Sequence, residues 1–212
     1  MDLDFWRTKW ENNQIAFHEG KPNALLVKHI SHLNLHKGAR VFVPLCGKTR
    51  DIFWLLSQGF EVVGAELSQL AVAQLFTDLD ISPEISEAGA LTRCSAPGID
   101  IFIGDIFELT RDTLGPVDAV YDRAALVALP KPLRERYAAH LVDITAAAPQ
   151  LLICFDYDQS LIDGPPFAVS PDTTRALYGE TYRISLLESV PVPGGLKGTC
   201  EATERVFLLD RP

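Results

Sequence analysis

The chain has no run of apolar residues approaching the ~20 that a membrane-spanning helix requires. Its first residues, Met1-Asp2-Leu3-Asp4, are acidic where a secretory signal is basic. Basic charge is scarce: 19 Lys and Arg against 28 Asp and Glu leave a formal net charge of -9. Nucleic-acid binding draws on clustered cations that release counterions, so no nucleic-acid partner is expected. Cys46, Cys94, Cys154 and Cys200 lie far apart, with no Cys-x-x-Cys for metal or redox chemistry. Cys46 and Cys154 fall in strand-like runs and read as buried thiols. No internal repeat or low-complexity stretch occurs. The expectation is a soluble, reduced, cytoplasmic protein, a monomer by default. Its 212 residues, 47% of them hydrophobic, suffice for a single α/β domain spanning 1–212.

Glycine is short in one telling place. The apolar run Val41-Phe42-Val43 stops at Pro44, and a turn through Gly47 leads into Asp51–Gly59, which reads as a helix. Such a strand–turn–helix unit is where an α/β fold holds a nucleotide-like cofactor. Gly47-Lys48-Thr49 suggests a phosphate-binding P-loop, but the glycine that loop needs five residues earlier is Phe42. Lys48 then reads as a solvated first-turn residue. A dinucleotide fingerprint needs three glycines to let a pyrophosphate approach, and only Gly47 is present. The ribose half of that fingerprint survives: Glu66 ends the second strand about twenty residues on. An acid for a ribose diol without a pyrophosphate cradle points to a nucleoside cofactor lacking phosphates, and S-adenosylmethionine (SAM) fits. Glu66 alone reads equally as an exposed strand-end carboxylate, and Asp105 as the N-cap of Ile106–Leu109. Falling together at successive strand ends, they support a site.

The rest of the chain alternates strands and helices. Asp2–Glu11 carries Leu3, Trp6 and Trp10 at helical spacing, and Pro22 suits the first turn of a helix over Asn23–Leu35. Arg40–Leu45, Glu61–Leu67, Asp100–Gly104, Val117–Tyr121 and Leu151–Tyr157 read as strands, with Gly64 marking a close approach. Ser68 caps a helix to about Asp78, Leu133–Ala148 and Pro171–Tyr178 are helical, and Ser82–Gly98 is a loop or short hairpin. Tyr182–Val190 and Thr199–Leu209 read as an antiparallel pair. The pattern indicates a mainly parallel sheet with an antiparallel edge, whose ligands bind beyond the carboxyl ends of the strands. Those ends are Leu45, Glu66, Asp105 and Tyr121–Arg123. His29, His32 and His36 share a helix face, but without a Cys or carboxylate among them no metal is expected.

Several blocks together resemble one family. They are Phe5-Trp6-x-x-x-Trp10, Ala16-Phe17-His18-Glu19-Gly20, Val43-Pro44-Leu45-Cys46-Gly47-Lys48, Val62-Val63-Gly64-Ala65-Glu66-Leu67-Ser68, Asp122-Arg123-Ala124-Ala125-Leu126-Val127-Ala128-Leu129 and Gly164-Pro165-Pro166-Phe167. In that order they resemble the bacterial thiopurine S-methyltransferases, over nearly the whole chain. The resemblance implies a Rossmann-like, seven-stranded SAM-dependent methyltransferase sheet with an N-terminal helical lid over 1–38. It implies that Trp10 covers the cofactor, Leu45 contacts it through the backbone, and Glu66 binds the ribose. Asp105 and Ile106 would take the adenine edge and face. Arg123 would lie beside both cofactor and acceptor as the catalytic cation, and Phe17 would line the acceptor pocket. Small aromatic or heterocyclic thiols, thiopurines among them, are the implied acceptors, with selenium and tellurium compounds second. The likeness weakens between Val190 and Thr199, where Lys197 is the only charge.

A thiol reacts as thiolate, so a cation beside it helps, and Arg123 is the candidate. Its alternative is a salt bridge to Asp122 or Glu66. Trp6 is expected in the core and Trp10 in the lid. Gly164 lacks the side chain that amino-group methyltransferases use, so Gly164–Phe167 reads as a rigid turn at the acceptor pocket. His18, beside Phe17, is a candidate proton carrier. A non-catalytic nucleoside sensor and an NAD-dependent oxidoreductase are the competing readings.

Overall fold

A computed structural model describes residues 3–15 and 19–211 of the chain. Asp2, Phe17 and His18 therefore lie outside the described residues. Among the described residues no helix is long and apolar enough to cross a membrane.

Nine strands form one sheet: β1 (Arg40–Pro44), β2 (Glu61–Glu66), β3 (Glu84–Ala88), β4 (Leu91–Ala96), β5 (Ile99–Ile103), β6 (Ala119–Arg123), β7 (Gln150–Tyr157), β8 (Arg183–Pro191) and β9 (Ala202–Asp210). Their order is β3-β4-β5-β2-β1-β6-β7-β9-β8. The five inner strands β5-β2-β1-β6-β7 are parallel. They read as unbroken apolar runs because helices cover both faces. The pleat divides them between two cores. Phe42, Val63, Phe102, Val120 and Leu152 face one side, and Val41, Val62, Ile101, Tyr121 and Leu151 the other. Gly64 is where Ile101 and Cys46 press closest. A Cβ there would stand 2.7 Å from Ile101 Cδ1 and 2.9 Å from Cys46 Sγ.

The strand count of seven is corrected to nine. Within 82–98 the chain forms a true hairpin, β3–β4, added antiparallel to β5. Its outer strand is exposed along almost its whole length, so it lacks the one-sided apolar pattern that marks a strand in sequence. The hairpin is fastened through β4, whose Leu91 and Cys94 are buried in the two cores and whose Arg93 donates to Asp100 Oδ1 through Nε (3.0 Å) and Nη2 (2.8 Å). At the other edge β9 pairs antiparallel with β7 and β8 with β9, as the alternating pattern indicated.

Among the described residues seven α-helices pack around the sheet: α1 (Leu3–Glu11), α2 (Ala24–His29), α3 (Arg50–Ser57), α4 (Gln69–Leu79), α5 (Arg111–Leu114), α6 (Lys131–Ile144) and α7 (Pro171–Tyr178). Ser68 caps α4 by accepting from Ala71 N–H at 3.2 Å. The second helix is shorter than its sequence pattern. Asn23 is its cap, accepting from Leu25 and Leu26 N–H, which leaves Pro22 outside. After His29 the chain tightens into a 3-10 turn, Ile30–Leu33, and ends at Asn34 with φ +51°. Asn tolerates that left-handed conformation, which stops a helix.

Chain order reverses between β1 and β6: β2 and β5 continue on one side, β7 on the other. The crevice at such a reversal is where α/β sheets bind ligands.

Candidate functional site

Two adjacent strand ends form the floor of this crevice. β1 leaves the sheet at Leu45, φ +45°, and turns again at Gly47, φ +52°. β6 leaves through Ala124, φ +66°, directly after Arg123. Left-handed backbone in residues other than glycine is costly and concentrates at functional sites. Both exits flank the reversal point. Leu45 is half-buried.

Glu66 holds the first loop in place. Its carboxylate is 6% exposed, so it is not the exposed strand-end group that its position in the sequence allowed. Oε2 accepts from Gly47 N–H at 2.7 Å and Oε1 from Ser68 N–H at 2.8 Å. Burial pushes its pKa up while those backbone N–H groups pull it down, and the net direction is up. A carboxylate offers about four lone-pair sites, and the N–H groups of Ser68, Gly47 and Leu67 act on this one. Cys46 alongside is held as a neutral thiol, because burial first and the Glu66 charge second push its pKa well up. Lys48 does not reach into solvent; its Nζ lies 3.7 Å from Asp78 of α4.

Helix α1 roofs this floor. Trp10 is buried at 4% exposure, and a Cβ on Gly47 would meet its Cζ2 at 2.9 Å. Glycine at 47 thus serves both the positive φ and the indole above it. Trp6, expected in the core, is only half-buried and stacks edge-on against Phe5 with centroids 5.2 Å apart. A cleft of about 430 Å³ opens beneath α1, bounded by Arg7, Glu11, Leu67, Ser68, Gln69 and Gly104. That volume is within the range of small-molecule sites. Asp105 does cap the turn after β5, accepting from Phe107 N–H at 3.0 Å. Ile106 is buried at 5% exposure within the core, and its carbonyl meets His140 Nε2 at 2.8 Å. Leu67 and Ser68 directly follow Glu66 and Gly104 directly precedes Asp105, so the carboxyl ends of β2 and β5 border this cleft beneath α1.

Arg123 lies one strand away, and neither expected partner holds it. Its Nη2 donates to Glu19. Asp122 points to the opposite face, because neighbouring residues on a strand face opposite ways. There it accepts from Tyr137 O–H at 2.8 Å and Leu126 N–H at 3.1 Å, fully buried. Burial alone would weaken the charge on Arg123. Glu19 foremost, then Tyr121, Asp51 and Glu204, outweigh it and push the pKa up. Asp51 is fixed from two sides, accepting from Asn23 N–H at 2.7 Å and Tyr121 O–H at 2.9 Å. Sequence reading missed Glu19, Asp51 and Glu204 as neighbours of Arg123. No local pattern links residues 19, 51, 123 and 204.

The turn 164–167 is tied to two other segments. Phe167 N–H donates to Val127 O at 2.6 Å, and Lys197 Nζ reaches Pro165 O at 2.8 Å. A second cleft of about 840 Å³ adjoins Asp156 and the glycine-rich loop 192–201 between β8 and β9. His29 belongs to neither cleft; its Nε2 lies 2.6 Å from Glu188 Oε2 on β8.

Comparison with known proteins gives a consistent picture. The family model described as Thiopurine S-methyltransferase (TPMT) matches residues 1–207. A thiopurine S-methyltransferase of Xanthobacter autotrophicus is 64% identical over 212 residues, covering 100% of both chains. One from Gluconobacter oxydans is 53% identical over 203 residues, 96% of this chain and 92% of that protein. Among solved structures, a SAM-dependent methyltransferase from Anabaena variabilis superposes with a TM-score of 0.62 at 14% identity, covering 99% of this chain and 95% of that one. That last likeness bears on the fold alone.

Proposed function

The chain belongs to the thiopurine S-methyltransferase family, and from that premise we propose how its residues carry out SAM-dependent S-methylation of a small aromatic or heterocyclic thiol. We extend the acceptors to selenium and tellurium species, whose soft nucleophilic atoms ask the same of a site. SAM supplies the methyl group and its own leaving group. The residues must bind, align and exclude water, and alignment alone can be worth about 7–11 kcal/mol of barrier.

One observation carries this reading: Glu66 ties the turn after β1 to the start of α4, and a cleft of small-molecule size bounded by Leu67, Ser68 and Gly104 opens beside that start, beneath α1. Leu45 and Gly47 would present backbone to the amino-acid tail, Glu66 would take the ribose, and Asp105 and Ile106 would border the adenine. Trp10, lying on Gly47, supports α1 as a lid over 1–38 that keeps water from the donor. Arg123 stands toward the acceptor, and a guanidinium has five N–H donors, so the contact with Glu19 leaves others for a sulfur that bears negative charge as it reacts. Phe17 would line that side. The free, buried thiols Cys46, Cys94, Cys154 and Cys200 support a reducing, cytoplasmic setting.

The direct test is incubation with labelled SAM and an aryl thiol, read as labelled thioether, beside a calorimetric comparison of S-adenosylhomocysteine and NAD. Transfer to sulfur and selective binding of the homocysteine nucleoside are expected. NAD binding in preference would refute the assignment, and nucleoside binding without transfer would leave a ligand sensor. Arg123→Ala should lower kcat/KM most at low pH, where thiolate is scarce. An unchanged pH–rate profile would remove Arg123 from thiolate stabilisation.

A further inference from the structure

Arg123 is outnumbered. Its guanidinium meets Glu19 directly, and Asp51 and Glu204 add their fields to the same group. Strand register explains why Glu204 belongs here. Arg123 is level with Ile153, and Ile153 with Val206. Phe155 is level with Glu204, so Glu204 shares the face of Arg123 one step nearer the carboxyl edge of the sheet. Three further cations nearby are held elsewhere, Arg205 by a carboxylate on the opposite face and the other two by backbone carbonyls. Arg205 Nε binds Asp156 at 2.8 Å, Arg134 Nη1 binds Ala168 O at 2.7 Å, and Lys197 Nζ binds Pro165 O at 2.8 Å. Immediately around Arg123, the carboxylates of Glu19, Asp51 and Glu204 therefore outnumber the one guanidinium.

We propose that this arrangement is a charge filter on the methyl acceptor, admitting flat thiols whose remainder is uncharged and turning away thiols that also carry a carboxylate, with Glu19 and Glu204 setting the preference. The inference rests on the S-methyltransferase reading above. Arg123 can answer one negative centre, the reacting sulfur. A second negative charge on the same small molecule meets Glu204 and Glu19 beside the guanidinium that the sulfur already occupies. Charges several ångströms apart in a partly buried site are screened far less than in water.

The test compares two acceptors of equal shape, 4-mercaptobenzamide and 4-mercaptobenzoate, with the intact protein and SAM at low ionic strength. The ratio of their kcat/KM values cancels any general loss of folding or turnover. The parent should favour the amide by about tenfold or more, and Glu19→Gln and Glu204→Gln should each narrow that ratio at least about threefold. A parent that accepts both equally, or favours the benzoate, overturns the filter. A preference that survives both substitutions unchanged overturns the assignment to Glu19 and Glu204. If neither thiol is methylated while S-adenosylhomocysteine still binds, the S-methyltransferase reading itself falls, and the filter with it.

Discussion

Replacing Asp122 with Asn should reshape how stability varies with pH. Asp122 is fully buried behind β6. Burial, opposed by the Tyr137 hydroxyl and the N–H groups of Leu126 and Ala125, pushes its carboxyl from 3.8 up to about 6. The folded protein thus holds this proton more tightly than the unfolded chain does. The sign is opposite to that of a carboxylate paired with a cation: the contribution is fully present below about pH 4 and declines as pH rises toward 6. The full difference corresponds to about 3 kcal/mol, of which about 2 kcal/mol falls between pH 4 and pH 8. Asn keeps the shape and an acceptor oxygen but does not ionise. Any change in hydrogen bonding is a fixed offset. Urea unfolding of parent and Asp122→Asn at pH 4, 6 and 8 isolates the slope. The variant should gain on the parent by about 2 kcal/mol from pH 4 to pH 8. Two curves that stay parallel, or a variant that loses on the parent as pH rises, would refute the burial argument.

Two further expectations concern the first loop. Gly47→Ala places a methyl group 2.9 Å from Trp10 Cζ2 on a backbone at φ +52°, so about 1–2 kcal/mol of backbone strain is expected. Calorimetry should also record at least severalfold weaker binding of S-adenosylhomocysteine. Glu66→Gln turns an NH2 group toward one of two N–H donors, costing about 1–3 kcal/mol for the group left unpaired. Its melting temperature and nucleoside affinity should fall together; an affinity loss with unchanged melting would mean the two N–H contacts contribute nothing to the fold.

Much of the parallel core was legible because its strands are continuous apolar runs and its helices carry caps such as Ser68. The β3–β4 hairpin was not, since its edge strand β3 is exposed and has no hydrophobic alternation. In the site, Glu66 and Asp105 were legible as polar residues at strand ends. The burial of Glu66 was not, because it depends on the turn bringing Gly47 back over it and on α1 above. The separation of Asp122 from Arg123 was readable from the pleat: consecutive residues near a strand end cannot face the same way. Glu19 as the partner of Arg123 was out of reach, since the two are joined across 104 positions by tertiary folding alone.

The double attachment of Glu66 has one more consequence. A loop that had to find its shape when the cofactor arrived would lose conformational entropy at that moment, at about 1–2 kcal/mol for each residue fixed. Here Gly47 and Ser68 are already joined to the same carboxylate, so the ordering of both segments is completed when the chain folds. Affinity for the nucleoside and stability of the empty protein then become two readings of one quantity. A substitution far from the cleft that loosens β2 against β1 would be felt first as weaker binding, well before the protein unfolds.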